Sequence, residues 1–97
     1  MDKYEGNLKQ YRKKPVVIEA MQFDGSKGVA QDILDWAGPK CGMEMRYTSL
    51  LKHPCILVIQ TLEGEMRALK SDFIIKGVKG EFNPCKEGIF EATYEEL

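Results

Sequence analysis

Apolar residues recur along this chain with the spacing of a strand in some stretches and of a helix in others. Pro15–Phe23 reads PVVIEAMQF and predicts a strand, because β-branched residues open it and apolar side chains fall on both of its faces. A strand that is apolar on both faces is expected near the centre of a sheet. Glu19 would then lie among apolar neighbours, which a carboxylate tolerates only with a partner.

The next stretch has the signals of a helix at both ends. Apolar residues at three- and four-residue spacing predict a helix over Lys27–Ala37. Ser26 is a favourable N-cap, and the helix should end at Gly38 and Pro39, because glycine adopts the left-handed cap and proline cannot continue the helix. Trp36 lies beside the apolar stripe, so we expect it at the rim of the core rather than as an exposed stacking platform.

The second half of the chain reads as short strands joined by tight turns and followed by a helix. Cys55–Leu62 reads CILVIQTL and is the clearest strand, apolar on both faces and therefore central. Before it, the pattern predicts an edge strand over Met43–Tyr47. After it, a Glu63-Gly64 turn should lead into a strand over Glu65–Leu69, and a Ser71-Asp72 turn into a strand over Phe73–Lys76. A tight loop over Gly77–Gly80 and a helix near residues 86–95 complete the chain.

This order of elements predicts a single α+β domain. Short strands and tight turns favour a small antiparallel curled sheet, barrel-like in form and covered by two short helices. Since 97 residues leave room for one core, we expect residues 1–10 to form a polar N-terminal arm and residues 11–97 to form the domain. Uncovered sheet edges also favour a homo-oligomer. The predicted core comprises Val17, Ile18, Met21, Phe23, Ile33, Leu34, Leu57, Val58, Ile59, Phe73, Ile75 and Phe90.

Composition and charge narrow the classes of function. The chain is 43% apolar and 30% charged, as globular proteins are, and no apolar run approaches the roughly 20 residues of a membrane span. No hydrophobic region follows the first charged residues, so we expect neither a secretory signal nor a membrane partner. The net charge of −1 disfavours duplex nucleic acid as a partner. The charge is unevenly spread, with +3 over residues 1–14, +3 over residues 66–80 and −4 over residues 81–97.

Few residues offer catalytic or metal chemistry. Cys41, Cys55 and Cys85 are an odd, scattered set that fits a reducing compartment, and His53 with Cys55 is the one close pair of potential zinc ligands. We therefore interpret the cysteines as small apolar side chains. The single histidine has no nucleophile beside it, and no phosphate-loop or nucleophile-elbow motif occurs. We predict no enzyme, no catalytic residue, no metal and no cofactor.

Three blocks of the sequence resemble a family of short proteins of tailed phages and prophages. They are YRKKPVVIEA at Tyr11–Ala20, DFIIKGVKGEF at Asp72–Phe82, and PCK at residues 84–86 followed by IFEATYE. The resemblance runs from about residue 11 to the end, apart from a variable centre between Gly38 and Leu51. The family has no settled activity. The resemblance therefore implies a phage accessory protein in the cytoplasm of the bacterial host, and it supplies no catalytic residue.

A basic loop that contains glycines is the strongest candidate for a binding site. The run KGVKG places two lysines around two glycines, where exposed backbone N–H groups can approach an anion. A second basic run precedes the first predicted strand, which we expect next to this loop. The candidate ligand-binding residues are Arg12, Lys13, Lys14, Lys76, Gly77, Lys79 and Gly80.

Three functional hypotheses follow. The favoured one is a protein that binds and sequesters, without chemistry, a small phosphorylated ligand such as a nucleotide signal of host antiphage defence, in a site between protomers. The second is an adaptor or inhibitor that grips a host or virion protein through the acidic C-terminal helix and strand edges, which predicts an exposed apolar patch. The third is a small phosphodiesterase or hydrolase, which requires a cluster of carboxylates and histidine or a metal site that the sequence does not show.

Overall fold

The computed structural model describes residue 6 and residues 8–39, 41–47 and 55–97. This part of the chain folds into six strands and two helices. In chain order they are β1 (Glu19–Gln22), α1 (Lys27–Ala37), β2 (Met43–Tyr47), β3 (Cys55–Thr61), β4 (Gly64–Ala68), β5 (Phe73–Lys76), β6 (Phe82–Cys85) and α2 (Glu87–Thr93). Within these ranges, neither helix has the length and apolar content that crossing a membrane requires.

The described strands form two separate sheets rather than one. Sheet A has the order β1-β5-β6, sheet B has the order β2-β3-β4, and each strand pairs antiparallel with its neighbours. The prediction of an α+β fold with antiparallel pairing is therefore confirmed. The prediction of one curled, barrel-like sheet is wrong, because the two three-stranded sheets do not close on each other.

The turn at residues 69–72 is where the chain leaves sheet B for sheet A. The Asp72 N–H donates to the Leu69 carbonyl at 3.0 Å, and Ser71 adopts a positive φ of 80°. The chain then crosses to the end of β1, where the Ser71 N–H donates to the Phe23 carbonyl at 2.7 Å and the Phe23 N–H donates to the Asp72 carbonyl at 2.8 Å. The sharp reversal makes β5 pair with β1, so the ladder of sheet B cannot continue into one closed sheet.

Helix α1 has the boundaries and both caps that the sequence predicts. The Ser26 hydroxyl accepts a hydrogen bond from the Val29 N–H at 3.2 Å and itself donates to Asp24 at 2.6 Å. At the other end, Gly38 has a φ of 86° and its N–H donates to the Leu34 carbonyl at 3.0 Å. The buried face, with Ala30 and Ile33, packs against sheet B.

The core lies between α1 and the facing surfaces of both sheets. Of the predicted core residues, Phe23, Ile33, Leu57, Val58 and Ile59 are fully buried. Ile74 rather than Ile75 is the fully buried residue of β5, a shift of one position that reverses the face of a strand. The remaining predicted core residues other than Val17 are half-buried: Ile18, Met21, Leu34, Phe73, Ile75 and Phe90.

The predicted strand over Pro15–Phe23 is the clearest error. β1 begins only at Glu19, and the described residues that precede it pair with no described strand. Val17 is therefore 76% exposed rather than buried, and Glu19 is exposed rather than surrounded by apolar neighbours. β1 is also an edge strand, since β5 is its one neighbour in sheet A. The apolar run misled the prediction because it lines a surface, not a core.

The remaining predictions for the strands hold with small shifts. β3 is central with β2 at one edge, and Trp36 is half-buried at the core rim, with its ring edge-on to that of Phe82 at 5.2 Å. The β3–β4 turn consists of Leu62 and Glu63, because Thr61 pairs with Gly64. The sequence pattern missed β6, an edge strand that tolerates a proline. α2 covers Glu87–Thr93, inside its predicted range.

We expect Ile59→Ala to lower the free energy of unfolding by about 2–5 kcal/mol, because the side chain is fully buried in the central strand. Ile89→Ala is the matched control, since Ile89 is 63% exposed on α2 and should cost less than about 1 kcal/mol. Chemical denaturation measures both. Equal losses for the two variants would contradict the position of the core.

Candidate functional site

The predicted anion-binding loop is closed by a carboxylate of its own chain. The Lys79 N–H donates to a carboxylate oxygen of Glu81 at 3.0 Å, and the Gly77 N–H donates to the Glu81 carbonyl at 2.7 Å. The Gly80 N–H donates to the Gly77 carbonyl at 3.0 Å. A Cβ at Gly77 would overlap the Glu81 carboxylate, so glycine is what lets that side chain fold over the loop. These backbone N–H groups, which the sequence analysis expected to be exposed, are thus already hydrogen-bonded within the chain.

The two basic runs of the predicted site belong to different segments, one at the end of β5 and one in the residues that precede β1. Lys76 is half-buried at the end of β5, where it pairs with Glu19 and Phe82. Arg12, Lys13 and Lys14 are exposed and precede β1, and the five residue steps from Lys14 to Glu19 span at most about 17 Å. The Lys13 ammonium lies 5.6 Å from the centre of the Tyr94 ring, beyond the end of α2. Lys13 of this basic run therefore contacts the residue that caps the C-terminal helix.

A groove runs between the residues that precede β1 and the C-terminal helix. Its volume is about 870 Å³. One wall is Pro15–Ile18, the floor is the sheet A surface at Ala20, Gln22 and Phe73, and the other wall is formed by Phe90, Glu91 and residues 93–97. We refer to this feature as the groove.

Aromatic stacking holds α2 in place as a wall of the groove. No residue of α2 is buried, but the Phe90 ring lies parallel to that of Phe73, with 3.8 Å between their centres. Phe90 also contacts the Tyr94 ring at 5.0 Å. The Gln22 amide donates to the Glu87 carboxylate and links β1 to the first turn of α2.

Asp72 fixes the point at which α2 begins. It is 4% exposed and is the one buried charged residue among those that the structure describes. A single carboxylate oxygen accepts from the Leu69 N–H at 2.9 Å and from the Lys86 ammonium at 3.2 Å. Lys86 is the N-cap residue of α2, so this ion pair ties the end of β4, the start of β5 and the start of α2 together.

The groove combines exposed apolar side chains with an acidic rim. Val16 and Val17 are 46% and 76% exposed on one side of it, and Leu97 is 94% exposed on the other. Residues 87–97 carry four glutamates and no basic residue, and Glu91, Glu95 and Glu96 line the groove. Such a surface attracts a positively charged group next to apolar ones and repels an anion.

The free edge of sheet A borders the groove. β1 has β5 on one side, and among the described strands it has no partner on the other. The outward backbone N–H and C=O groups of an edge strand can pair with another extended chain. Ala20 and Gln22 belong to β1 and also line the groove, so the edge and the apolar surface form one continuous feature.

The described residues offer no cluster suited to metal-dependent chemistry. No group of three His, Cys, Asp or Glu side chains in the described ranges is placed to hold a metal ion, and His53 lies outside those ranges. Cys41, Cys55 and Cys85 are free thiols. Burial raises the pKa of the Cys55 thiol, more than nearby Lys27 lowers it, which makes the thiolate less accessible. Glu65 of β4 is engaged in ion pairs with Arg46 of β2 at 3.5 Å, across sheet B, and with Arg67 of its own strand at 3.8 Å.

Comparison of the chain with protein-family models, with curated proteins and with solved structures finds no match. The geometry of the molecule is therefore the basis for assigning its function. The sequence pattern missed the groove, although its signal was present: PVVI at the start of the predicted strand, and four glutamates interleaved with aromatic residues near the end of the chain.

Proposed function

We propose that this protein is a binding module that holds an extended polypeptide carrying basic and apolar side chains, without chemistry. The observation that carries the proposal is the groove, where exposed valines, the free edge of β1 and three carboxylates lie together. An extended polypeptide is the ligand class whose backbone, apolar side chains and basic side chains match these three features at once.

The exposed apolar side chains support a macromolecular ligand. Val17 is more than three-quarters exposed, and Leu97 is almost fully exposed across the groove from it. Exposed apolar side chains gathered around one groove, as these are, are typical of an interaction site. Burial yields about 25 cal/mol for each Å² of apolar surface removed from water, so covering this surface favours binding.

The edge of β1 supports an extended conformation for the ligand. A strand that pairs with β1 would form main-chain hydrogen bonds, which give affinity independent of sequence. Its side chains would alternate between the groove and the opposite face of the sheet. Basic side chains on the groove side would meet the carboxylates of Glu91, Glu95 and Glu96.

The resemblance to phage proteins gives this activity a setting. An accessory protein in the bacterial cytoplasm that grips a host or virion protein by an extended segment would act as an adaptor or inhibitor. The acidic C-terminal helix and the strand edge are the two features that this hypothesis uses.

A small phosphorylated ligand, such as a nucleotide signal of antiphage defence, is the second candidate. The observation that favours it is the loop over Gly77–Gly80, because its backbone already holds the Glu81 carboxylate, with Lys76 just before the loop and Lys79 within it. Phosphate would have to displace Glu81 to reach the same donors. Because of this competition, the groove is the stronger candidate for the binding site.

The proposal predicts selective binding of basic, apolar peptides. We expect a labelled peptide of about ten residues that alternates lysine and valine to bind at least thirtyfold more tightly than its glutamate–valine counterpart, a difference of about 2 kcal/mol. A lysine–serine peptide should also bind weakly, since it lacks apolar side chains. Fluorescence anisotropy with the full chain measures all three.

Two variants locate the binding. Val17→Lys should weaken binding of the lysine–valine peptide at least tenfold, whereas Val78→Lys should leave it unchanged, because Val78 is similarly exposed, at 71%, but lies on the basic loop. Equal affinity for the three peptides, or equal effects of the two variants, would refute the groove as the binding site.

The second candidate makes a different prediction. Glu81→Ala frees the Lys79 N–H, so ATP should bind at least tenfold more tightly to this variant than to the parent chain. The Lys76→Glu/Lys79→Glu double variant should bind at least a hundredfold more weakly than the parent, or about 2.7 kcal/mol. Isothermal titration calorimetry measures both, with Glu63→Ala as the control. No binding of ATP to the Glu81→Ala variant would exclude this loop as a nucleotide site.

A further inference from the structure

One segment of the chain carries the basic and apolar side chains that would complement the groove. Residues 8–14 read LKQYRKK and carry four basic side chains and no acidic one. Their two large apolar side chains are open to solvent, Leu8 at 74% and Tyr11 at 88%. We refer to residues 8–14 as the basic segment. Its charge of +4 is equal and opposite to the −4 of residues 87–97.

The basic segment does not fill the groove of its own chain. Pro15–Ile18, which follow directly, already form one wall of that groove. Lys13 reaches the rim at Tyr94, and the residues before it are exposed. The apolar side chains of the basic segment and those of the groove are thus both uncovered within one molecule.

We propose that two copies of this chain exchange their basic segments, so that each basic segment lies in the groove of the other copy. The inference rests on the proposed function, because it names the polypeptide that the groove holds. The basic segment of each copy would run along the free edge of β1 of the other copy, and a two-fold axis would make the interface the same surface on both subunits. Each site is then incomplete without the partner copy.

Exchange satisfies three features of the single molecule together. It covers Leu8, Tyr11 and Val17, it removes the free edge of β1, and it places the basic segment against Glu91, Glu95 and Glu96. A foreign polypeptide that enters the groove must displace the basic segment. The dimer is therefore the resting state, and partner binding opens it.

A charge-swap experiment tests the exchange. In the segment-reversed variant, Lys9, Arg12 and Lys14 are each changed to Glu; in the groove-reversed variant, Glu91, Glu95 and Glu96 are each changed to Lys. Light scattering should give twice the 11.0 kDa chain mass for the parent at micromolar concentration. Each variant alone should dimerise at least a hundredfold more weakly, because its basic segment and groove then carry charges of the same sign.

Mixing the two variants in equal amounts should restore a dimer that contains one chain of each. Each basic segment in such a pair again meets a groove of opposite charge. Restoration also shows that both variants fold, since unfolded chains would not recover. The control is Asp32→Lys/Glu63→Lys, which reverses two exposed carboxylates that do not line the groove and should remain dimeric.

A parent chain that scatters as a monomer, a mixture that does not dimerise, or assembly of the parent beyond two chains would overturn the exchange. The lysine–valine peptide, titrated into the segment-reversed variant, separates this failure from that of the proposed function. Tight peptide binding by this variant, together with a parent chain that scatters as a monomer, would retain the groove as a polypeptide site and reject the second copy as its occupant. A monomeric parent together with no peptide binding by this variant would reject both proposals.

Discussion

The buried carboxylate of Asp72 is the point on which the arrangement of this molecule depends. It accepts the Leu69 N–H at the end of sheet B and the Lys86 ammonium at the start of α2, while the Asp72 carbonyl accepts the Phe23 N–H at the end of β1. A charge that is 4% exposed requires such partners. Because Lys86 is the N-cap of α2, the same contact determines where the wall of the groove begins.

The turn at residues 69–72 divides the strands into two sheets, and this division creates the groove. Since the chain reverses at residues 69–72, β5 pairs with β1 and leaves the other edge of β1 open. Sheet A then has one surface for the core and one for α2, which is attached by the Phe73–Phe90 stack rather than by a buried face. The apolar residues before β1 consequently lie at the surface, beside a strand edge and an acidic helix.

The sequence pattern was sufficient for elements whose signals are local. The caps of α1 depend on Ser26 and Gly38 themselves, and β3 is apolar enough on both faces to be recognised as central. The exposure of Val17 could not be predicted in this way, because an apolar run has the same spacing whether it packs into a core or lines a surface. The hydrogen bond between the Lys79 N–H and Glu81 could not be predicted from the sequence either, since it depends on how the loop over Gly77–Gly80 folds.

Hydrogen–deuterium exchange of the full chain, with and without the lysine–valine peptide, tests the central claim most directly. If the groove and the edge of β1 hold the polypeptide, amides of residues 16–22 and of α2 should exchange more slowly with the peptide bound. Those of β3, buried in the core of sheet B, should be unchanged. Protection confined to the loop over residues 77–81, or no protection at β1 at peptide saturation, would contradict the account.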